Sequence, residues 1–424
     1  MRIDLPLATL VLLGACARGA VTTPTPVTPS PARMAAVDSL VVASPSAVGL
    51  DATLPARLDS IVRVGLDQGA APGASLAVGR YGRLVYLKGI GATDYAAGAP
   101  AVDAATMYDL ASLTKVIATT TAAMILEEEG KLDISRSVQS YLPEFNAPDK
   151  AAITVRMLLT HRGGLEAFAA LWKDTHGRAE YLAKINARPL ANPPGTKMVY
   201  SDWDFILMQD IIERITGTTL DAFVGARVFG PLGMTSTRFT PDTTDAALMR
   251  RIPPTEKDSL RGQIHGTVHD PNAWALGGVS GHAGLFSDAR DLAIFAQMLQ
   301  NGGSYKGTRI LTPATITRWT APQDPHSSRA LGWDTPSDVS SAGRYFSPRS
   351  FGHTGFTGTS IWIDPERGVF VILLMNRVNP RGLATRHAQL RRDVADAVQS
   401  AIHDAPLIDW EARRAAAPAA TPAQ

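Results

Sequence analysis

The stretch "YDLASLTKVIATTTAAMILEEEG" (108–130) places Ser112 and Lys115 three residues apart at the head of a helical pattern that closes at Gly130. Side chains three apart on a helix are neighbours. A serine alcohol attacks poorly until something takes its proton, and an adjacent lysine can take it if its charge is suppressed. The chain has nine lysines, and Lys115 alone has a serine three positions before it. The pair reads either as a nucleophile with its base or as an exposed Ser and Lys that share a turn.

Two further stretches bear on that choice. In "NPPGTKMVYSDWDF", Tyr200, Ser201 and Asp202 follow a Pro-Gly loop and precede a helical pattern. A phenol held beside an ammonium can relay a proton. Asp202 reads equally as part of the site or as a helix N-cap. In "FGHTGFTGTSIW", His353-Thr354-Gly355 precedes a strand, and nearby glycines let backbone N–H groups approach a ligand. Alone, it is also compatible with a tight bend holding a satisfied histidine. The histidines of "QIHGTVHDPNAWALGGVSGH" are the competing candidates, with His265 and His269 expected on one helix face beside His282. A zinc site needs three or four such ligands. Glycines break this stretch and no glutamate stands in the metalloprotease position, so the expectation is no metal. A loop over the site, with one histidine touching substrate, fits better.

The elements that must position these residues follow from periodicity. "DATLPARLDSIVRVGLDQG" is a helix stopped by Gly69, and "GASLAVGRYGRLVYLKGIG" is a hairpin turning at Arg80-Tyr81-Gly82-Arg83. "GTSIWIDPERGVFVILLMNR" is a second pair of strands, and its apolar run 369–375 reads as a strand buried on both faces. A last helix covers about 383–402. Hairpins at both ends, flanked by terminal helices, predict an α+β fold: one central antiparallel sheet built from the two chain ends, with a large, mainly helical insertion. A net charge of +2 and no basic stripe exclude a nucleic-acid binder, while 45% apolar and 19% charged residues suit a large buried core.

The N-terminus, "MRIDLPLATLVLLGAC", has the shape of an export leader. Its end, Leu13-Gly14-Ala15-Cys16, resembles the bacterial lipobox, and Cys16 is the chain's single cysteine. The expected organisation is a lipoprotein leader (1–15), a disordered Thr/Pro-rich tether (16–48), one catalytic domain (49–405) and an Ala/Pro-rich tail (406–424). The expected location is the periplasmic face of a bacterial membrane, anchored at Cys16. The alternative is an ordinary leader with a chance cysteine.

In order and spacing, Ser112-Leu113-Thr114-Lys115, Tyr200-Ser201-Asp202 and His353-Thr354-Gly355 resemble the serine β-lactamase and penicillin-binding protein superfamily. The likeness is closest to the class C β-lactamase-like branch, which also holds D-alanyl-D-alanine peptidases and family VIII esterases. "ITVRMLLTHRGGL", "HAGLFSDARDLAIFAQMLQNGG" and "ALGWDT" look similar too, and the resemblance covers most of the chain after the tether. It implies a β-lactamase/transpeptidase-like fold and attack by Ser112, with Lys115 and Tyr200 sharing its proton; which of the two is the base stays open. Backbone N–H groups of Ser112 and Phe356 would stabilise the oxyanion, each worth about 3–4 kcal/mol. Asp202, His353, Thr354 and Gly355 would bind substrate, and no cofactor is needed. The expected partner is a small-molecule or peptidoglycan-type substrate, with the membrane touched only through the lipid anchor.

Two departures bear on substrate. His353 stands where true β-lactamases carry lysine, and Asp202 replaces an asparagine. Both make a D-alanyl peptide the first expectation, with β-lactams or small esters as alternatives. Because a free histidine titrates near pH 6.5, His353 is expected to favour anionic substrates more at low pH. A penicillin sensor that stays acylated is the alternative of another class. Sensors of that kind signal through a transmembrane helix, and no such apolar run follows the leader.

Overall fold

The computed structural model describes residues 40–175, 177–337, 340–379 and 386–416. Cys16 and the leader lie outside them. The centre is a six-stranded sheet whose order is 41–42, 83–91, 73–80, 369–375, 360–364, 351–354. Its neighbours pair antiparallel except Val41–Val42, which runs parallel to Arg83 and Leu84. The sheet is therefore built from both chain ends, as expected. Tyr81 and Gly82 both take positive φ, 49° and 76°, the primed geometry that matches strand twist in a two-residue hairpin.

Val369–Met375 is buried along its whole length and pairs on both edges. Alternation divides it between two cores. Val369, Val371, Leu373 and Met375 pack with Leu58 and Val62 of the Leu54–Asp67 helix and with Leu390, Val394 and Val398 of the Arg386–Ser400 helix. Phe370, Ile372 and Leu374 face the larger core, where Leu292, Phe295 and Ala296 of the Ala289–Gln300 helix bring in the insertion. The insertion is mainly helical and carries a small sheet of Tyr108–Asp109, Leu285–Ser287 and Arg238–Phe239.

Two expectations are corrected. Residues 40–48 belong to the fold and not to a tether: Val41–Val42 joins the sheet, Leu40 N–H donates to Tyr305 Oη, and Pro45–Val48 forms a 3₁₀ turn. Within the Ala/Pro-rich tail, Trp410–Ala416 is helical and Glu411 pairs with Arg392. His265 and His269 share no helix; they lie in a loop bent at Gly266 (φ 68°).

Candidate active site

Tyr108–Asp109 pairs with Leu285–Ser287, and Leu110 N–H donates to Leu285 O (2.9 Å), so the chain enters the Ser112 turn from a fixed strand. Ala111 then takes a φ of 45°, a left-handed conformation that costs a residue with a Cβ about 1–2 kcal/mol. Asp109 Oδ1 offsets this by accepting the Ala111 N–H (2.8 Å). The turn delivers Ser112, half-buried, to the head of a helix whose Lys115–Thr120 segment is π-helical. Such wide turns are rare and concentrate at functional sites.

Lys115 is wholly buried, and its Nζ meets three acceptors: Ser112 Oγ (3.1 Å), Asp202 Oδ1 (2.8 Å) and His282 O (3.1 Å). An ammonium has three hydrogens to give, so this is the coordination of a charged lysine. The condition under which Lys115 could take the serine proton, a suppressed charge, is not met in this geometry. Burial alone would depress its pKa, but Asp202 and then Tyr200 outweigh burial and push it up to about 12.

Tyr200 and Asp202 come from the start of the Asp202–Thr216 helix. Ser201 is its N-cap residue and Asp202 its first helical residue, so Asp202 is not the cap. The Tyr200 ring lies beside Lys115, with Nζ 4.9 Å from its centroid. Its hydroxyl oxygen is buried and makes no hydrogen bond of ordinary geometry among the described residues.

His353 is the penultimate residue of the Phe351–Thr354 strand and is 3% exposed. Its Nδ1–H donates to Thr354 O (2.9 Å), which leaves Nε2 to face Arg329 Nη1 at 3.4 Å. Burial, then Arg329 and Lys115, hold the imidazole well below its usual range. These surroundings favour the neutral imidazole and run against the expected gain of charge at mildly acid pH. The cation at this place is Arg329, whose guanidinium also stacks 5.1 Å from the Tyr200 ring centroid.

The turn after His353 is fastened to the Ser112 turn. Thr357 Oγ1 donates to Asp109 O (2.7 Å) and Thr359 Oγ1 to Leu110 O (3.0 Å). A Cβ at Gly355 would lie 2.3 Å from Leu110 O, so only glycine permits this approach. Phe356 is thereby held alongside Ser112. On the other wall, His282 Nε2 faces Asp270 Oδ1 at 2.8 Å, and His269 Nε2 faces Glu256 Oε2 at 2.9 Å. Asp202, Asp270 and His282 bring potential ligand atoms within 4.8 Å of one another. Asp202 already neutralises Lys115, however, and that ammonium would repel a second cation. His265 lies apart, bonded to Met249 O and Ile252 O.

All the expected residues except Cys16 and Lys115 line one cleft of about 1290 Å³, which includes Ser112, Tyr200, Asp202 and His353 to Phe356. Lys115 sits behind its wall. Phe168, Trp172, Leu260 and Trp274 form an apolar rim, and Arg329 lies deeper in. Arg329, His161 and Asp204 were not singled out from sequence, although the first follows a quoted motif's pattern closely: it directly precedes "ALGWDT". His161 sits within "LLTHRGGL" and Asp204 two residues after Asp202, so position in shared stretches was the available signal.

Comparison with known proteins supplies the family and the fold. The family model described as Beta-lactamase matches residues 58–396. A Salmonella agona (strain SL483) protein, whose name gives D-alanyl-D-alanine carboxypeptidase as its proposed activity, is 32% identical over 378 residues, covering 80% of this chain and 86% of that protein. A penicillin-binding protein homologue from Caulobacter crescentus superposes with a TM-score of 0.66 at 22% identity, covering 82% of this chain and 99% of that one. A class C β-lactamase superposes with a TM-score of 0.66 at 17% identity, covering 81% and 98%. A serine and a lysine that first met as a spacing in the sequence thus stand in a known frame, and the chain belongs to the beta-lactamase family of the serine β-lactamase and penicillin-binding protein superfamily.

Proposed function

We propose that this protein hydrolyses D-alanyl peptides of peptidoglycan type through an acyl-serine at Ser112. The observation that carries the reading is the guanidinium of Arg329 beside the neutral His353. It supplies a fixed positive charge at the end of the Phe351–Thr354 strand, where a peptide's terminal carboxylate would lie. Charge-assisted hydrogen bonds are roughly twice as strong as neutral ones, so a free carboxylate is favoured over an amide.

In this mechanism the Ser112 oxygen accepts from the Lys115 ammonium, so its own hydrogen is free to turn toward Tyr200. Tyr200 relays that proton: its oxygen accepts it as Ser112 attacks while its own hydrogen passes toward the nitrogen of the departing D-alanine, so Tyr200 is a neutral phenol before and after and Lys115 keeps its charge. The oxyanion is held by the N–H groups of Ser112 and Phe356. D-alanine leaves with the proton returned through Tyr200, and water repeats the sequence on the acyl-serine. A second reading, cleavage of small uncharged esters, is favoured by the apolar rim of Phe168, Trp172 and Trp274. The reading includes export and anchoring at Cys16.

The test is mass spectrometry of peptides ending in D-alanyl-D-alanine, with either a free or an amidated carboxyl. Release of D-alanine is expected from the free acid at a rate at least about tenfold higher, equal to about 1.4 kcal/mol. Equal rates, or cleavage of nitrophenyl esters alone, would overturn the reading.

A further inference from the structure

Behind Tyr200, on the side away from the cleft, His161 and Asp204 form a pair that the mechanism above does not use. Both are buried, at 1% exposure each, and His161 Nδ1 lies 2.8 Å from Asp204 Oδ2. His161 holds Tyr200 from three directions. Its carbonyl accepts the Val199 N–H (2.8 Å), its Nδ1 accepts the Ser201 N–H (3.2 Å), and its ring packs 4.5 Å from the Tyr200 ring. To do so its backbone takes a φ of 56°, strained for a residue with a Cβ.

The Ser201 contact favours one placement of the pair's hydrogens, in which the buried Nε2 of His161 has no partner among the described residues. A nitrogen that accepts the Ser201 N–H carries no hydrogen, so the hydrogen between Nδ1 and Asp204 Oδ2 belongs to the carboxyl. The imidazole hydrogen is then on Nε2. Asp204 Oδ1 has no partner among the described residues and lies against Gly163 close to Leu158 and Ile153. A carboxylate there would be desolvated and half-bonded, which favours the neutral acid.

We propose that His161 and Asp204 are a neutral positioning pair, a carboxylic acid donating to a bare Nδ1, which sets the backbone and ring of Tyr200 against Ser112. The charged and titratable groups around the pair are Asp202, Lys115, Arg329, His353 and Tyr200. Their arrangement agrees with neutrality on both sides. Burial and then Asp202 raise Asp204 well above the usual carboxylate range, while burial and then Arg329, Lys115 and His353 hold His161 well below its own. An ionised Asp204 would set a second negative charge beside Asp202 and loosen the hold on Tyr200.

The proposal rests on Tyr200 acting in acyl transfer, so its test has one readout that needs no turnover. ¹⁵N NMR of His161, assigned by loss of its signal in His161→Gln, is expected to show the neutral Nε2–H tautomer from about pH 5 to 8. An imidazolium signature anywhere in that range overturns the proposal. In kinetics, Asp204→Asn keeps a donor toward Nδ1 and is expected to retain activity to within about threefold. Asp204→Leu removes the donor, and kcat is expected to fall about 30-fold with KM nearly constant. Asp204→Asn falling as far as Asp204→Leu, in a folded protein, also overturns it. If no variant or wild type cleaves any acyl substrate while the tautomer is as stated, the functional reading fails and the pair stands.

Discussion

Asp202 Oδ1 sits 2.8 Å from Lys115 Nζ, and it is this carboxylate that keeps a wholly enclosed lysine charged. Buried charge is tolerable only when paired. The resting site therefore holds its lysine as a buried cation paired with Asp202. Asp202→Asn is expected to lower stability at pH 7 by about 3 kcal/mol, because one partner of a buried pair is lost. The sign of its pH dependence follows from the raised lysine pKa. The pair's contribution is complete below about pH 10.4 and is lost as pH rises through the folded value. The deficit of the variant should therefore narrow in alkaline solution. Urea midpoints at about pH 9 and at about pH 11.5, on either side of the start of that window, measure it, and a deficit that widens would count against the pair.

Ser112→Ala is expected to abolish acylation while preserving the fold, since it removes one oxygen from a turn whose geometry is set by Asp109, Thr357 and Thr359. Intact-mass analysis after incubation with a fluorescent penicillin should show an adduct on the wild type alone. An adduct on the alanine variant would place the nucleophile elsewhere.

Arg329→Gln should reduce selectivity for a free-carboxylate peptide over its amide by about tenfold, or roughly 1.4 kcal/mol. His353 is held neutral, so the wild-type KM for that peptide should be flat between about pH 6 and pH 8. Tighter binding at pH 6 would mean that the imidazole, not the guanidinium, carries the charge.

Asp204→Asn should also change how stability responds to pH. Between about pH 4 and 6.5 the unfolded chain holds one proton on His161 and the folded chain one on Asp204, so the pair adds no slope. Above about pH 6.5 the unfolded chain releases its proton and the folded chain keeps it, so stability falls as pH rises, by up to about 1.4 kcal/mol per unit. The asparagine variant lacks that proton. Denaturation series at three alkaline values should give the variant a shallower slope; parallel slopes would show Asp204 to be ionised.

Cys16→Ser should move the protein from the membrane to the soluble fraction, or leave it unprocessed, if the lipobox reading of "LGAC" holds. Fractionation and mass spectrometry of acyl chains measure this. Wild-type protein that is soluble and unacylated would remove the anchor from the proposal.

Much of this architecture was legible because periodicity reports burial. The run 369–375 read as a doubly buried strand, and the helix stopped by Gly69 and the hairpin turning at 80–83 read from their periodicity. The serine, lysine and tyrosine were legible as spaced motifs. What stayed hidden depended on contacts across the chain. Lys115 reads as a base until Asp202, far along the sequence, is brought to it. His353 reads as a titrating group until burial and Arg329 act on it. His265 and His269 have helical spacing, but Gly266 between them takes a positive φ and breaks the helix.

The sheet that joins both chain ends constrains how this molecule comes into being. Gly73–Arg80 cannot gain its second neighbour until Val369–Met375 has been synthesised and delivered, so the central pairing joins segments that lie far apart in the chain. Contacts of this kind slow folding and leave strand edges exposed meanwhile. Yet the finished ends lie together: Leu50 bridges Ile402, His403 N–H reaches Gly49 O at 3.0 Å, and Arg80 pairs with Asp404. A short peptide joining those ends, with new termini cut into a surface loop of the insertion, would make the sheet strands contiguous in translation, and such a circular permutant should reach its folded state faster than the natural order of the chain.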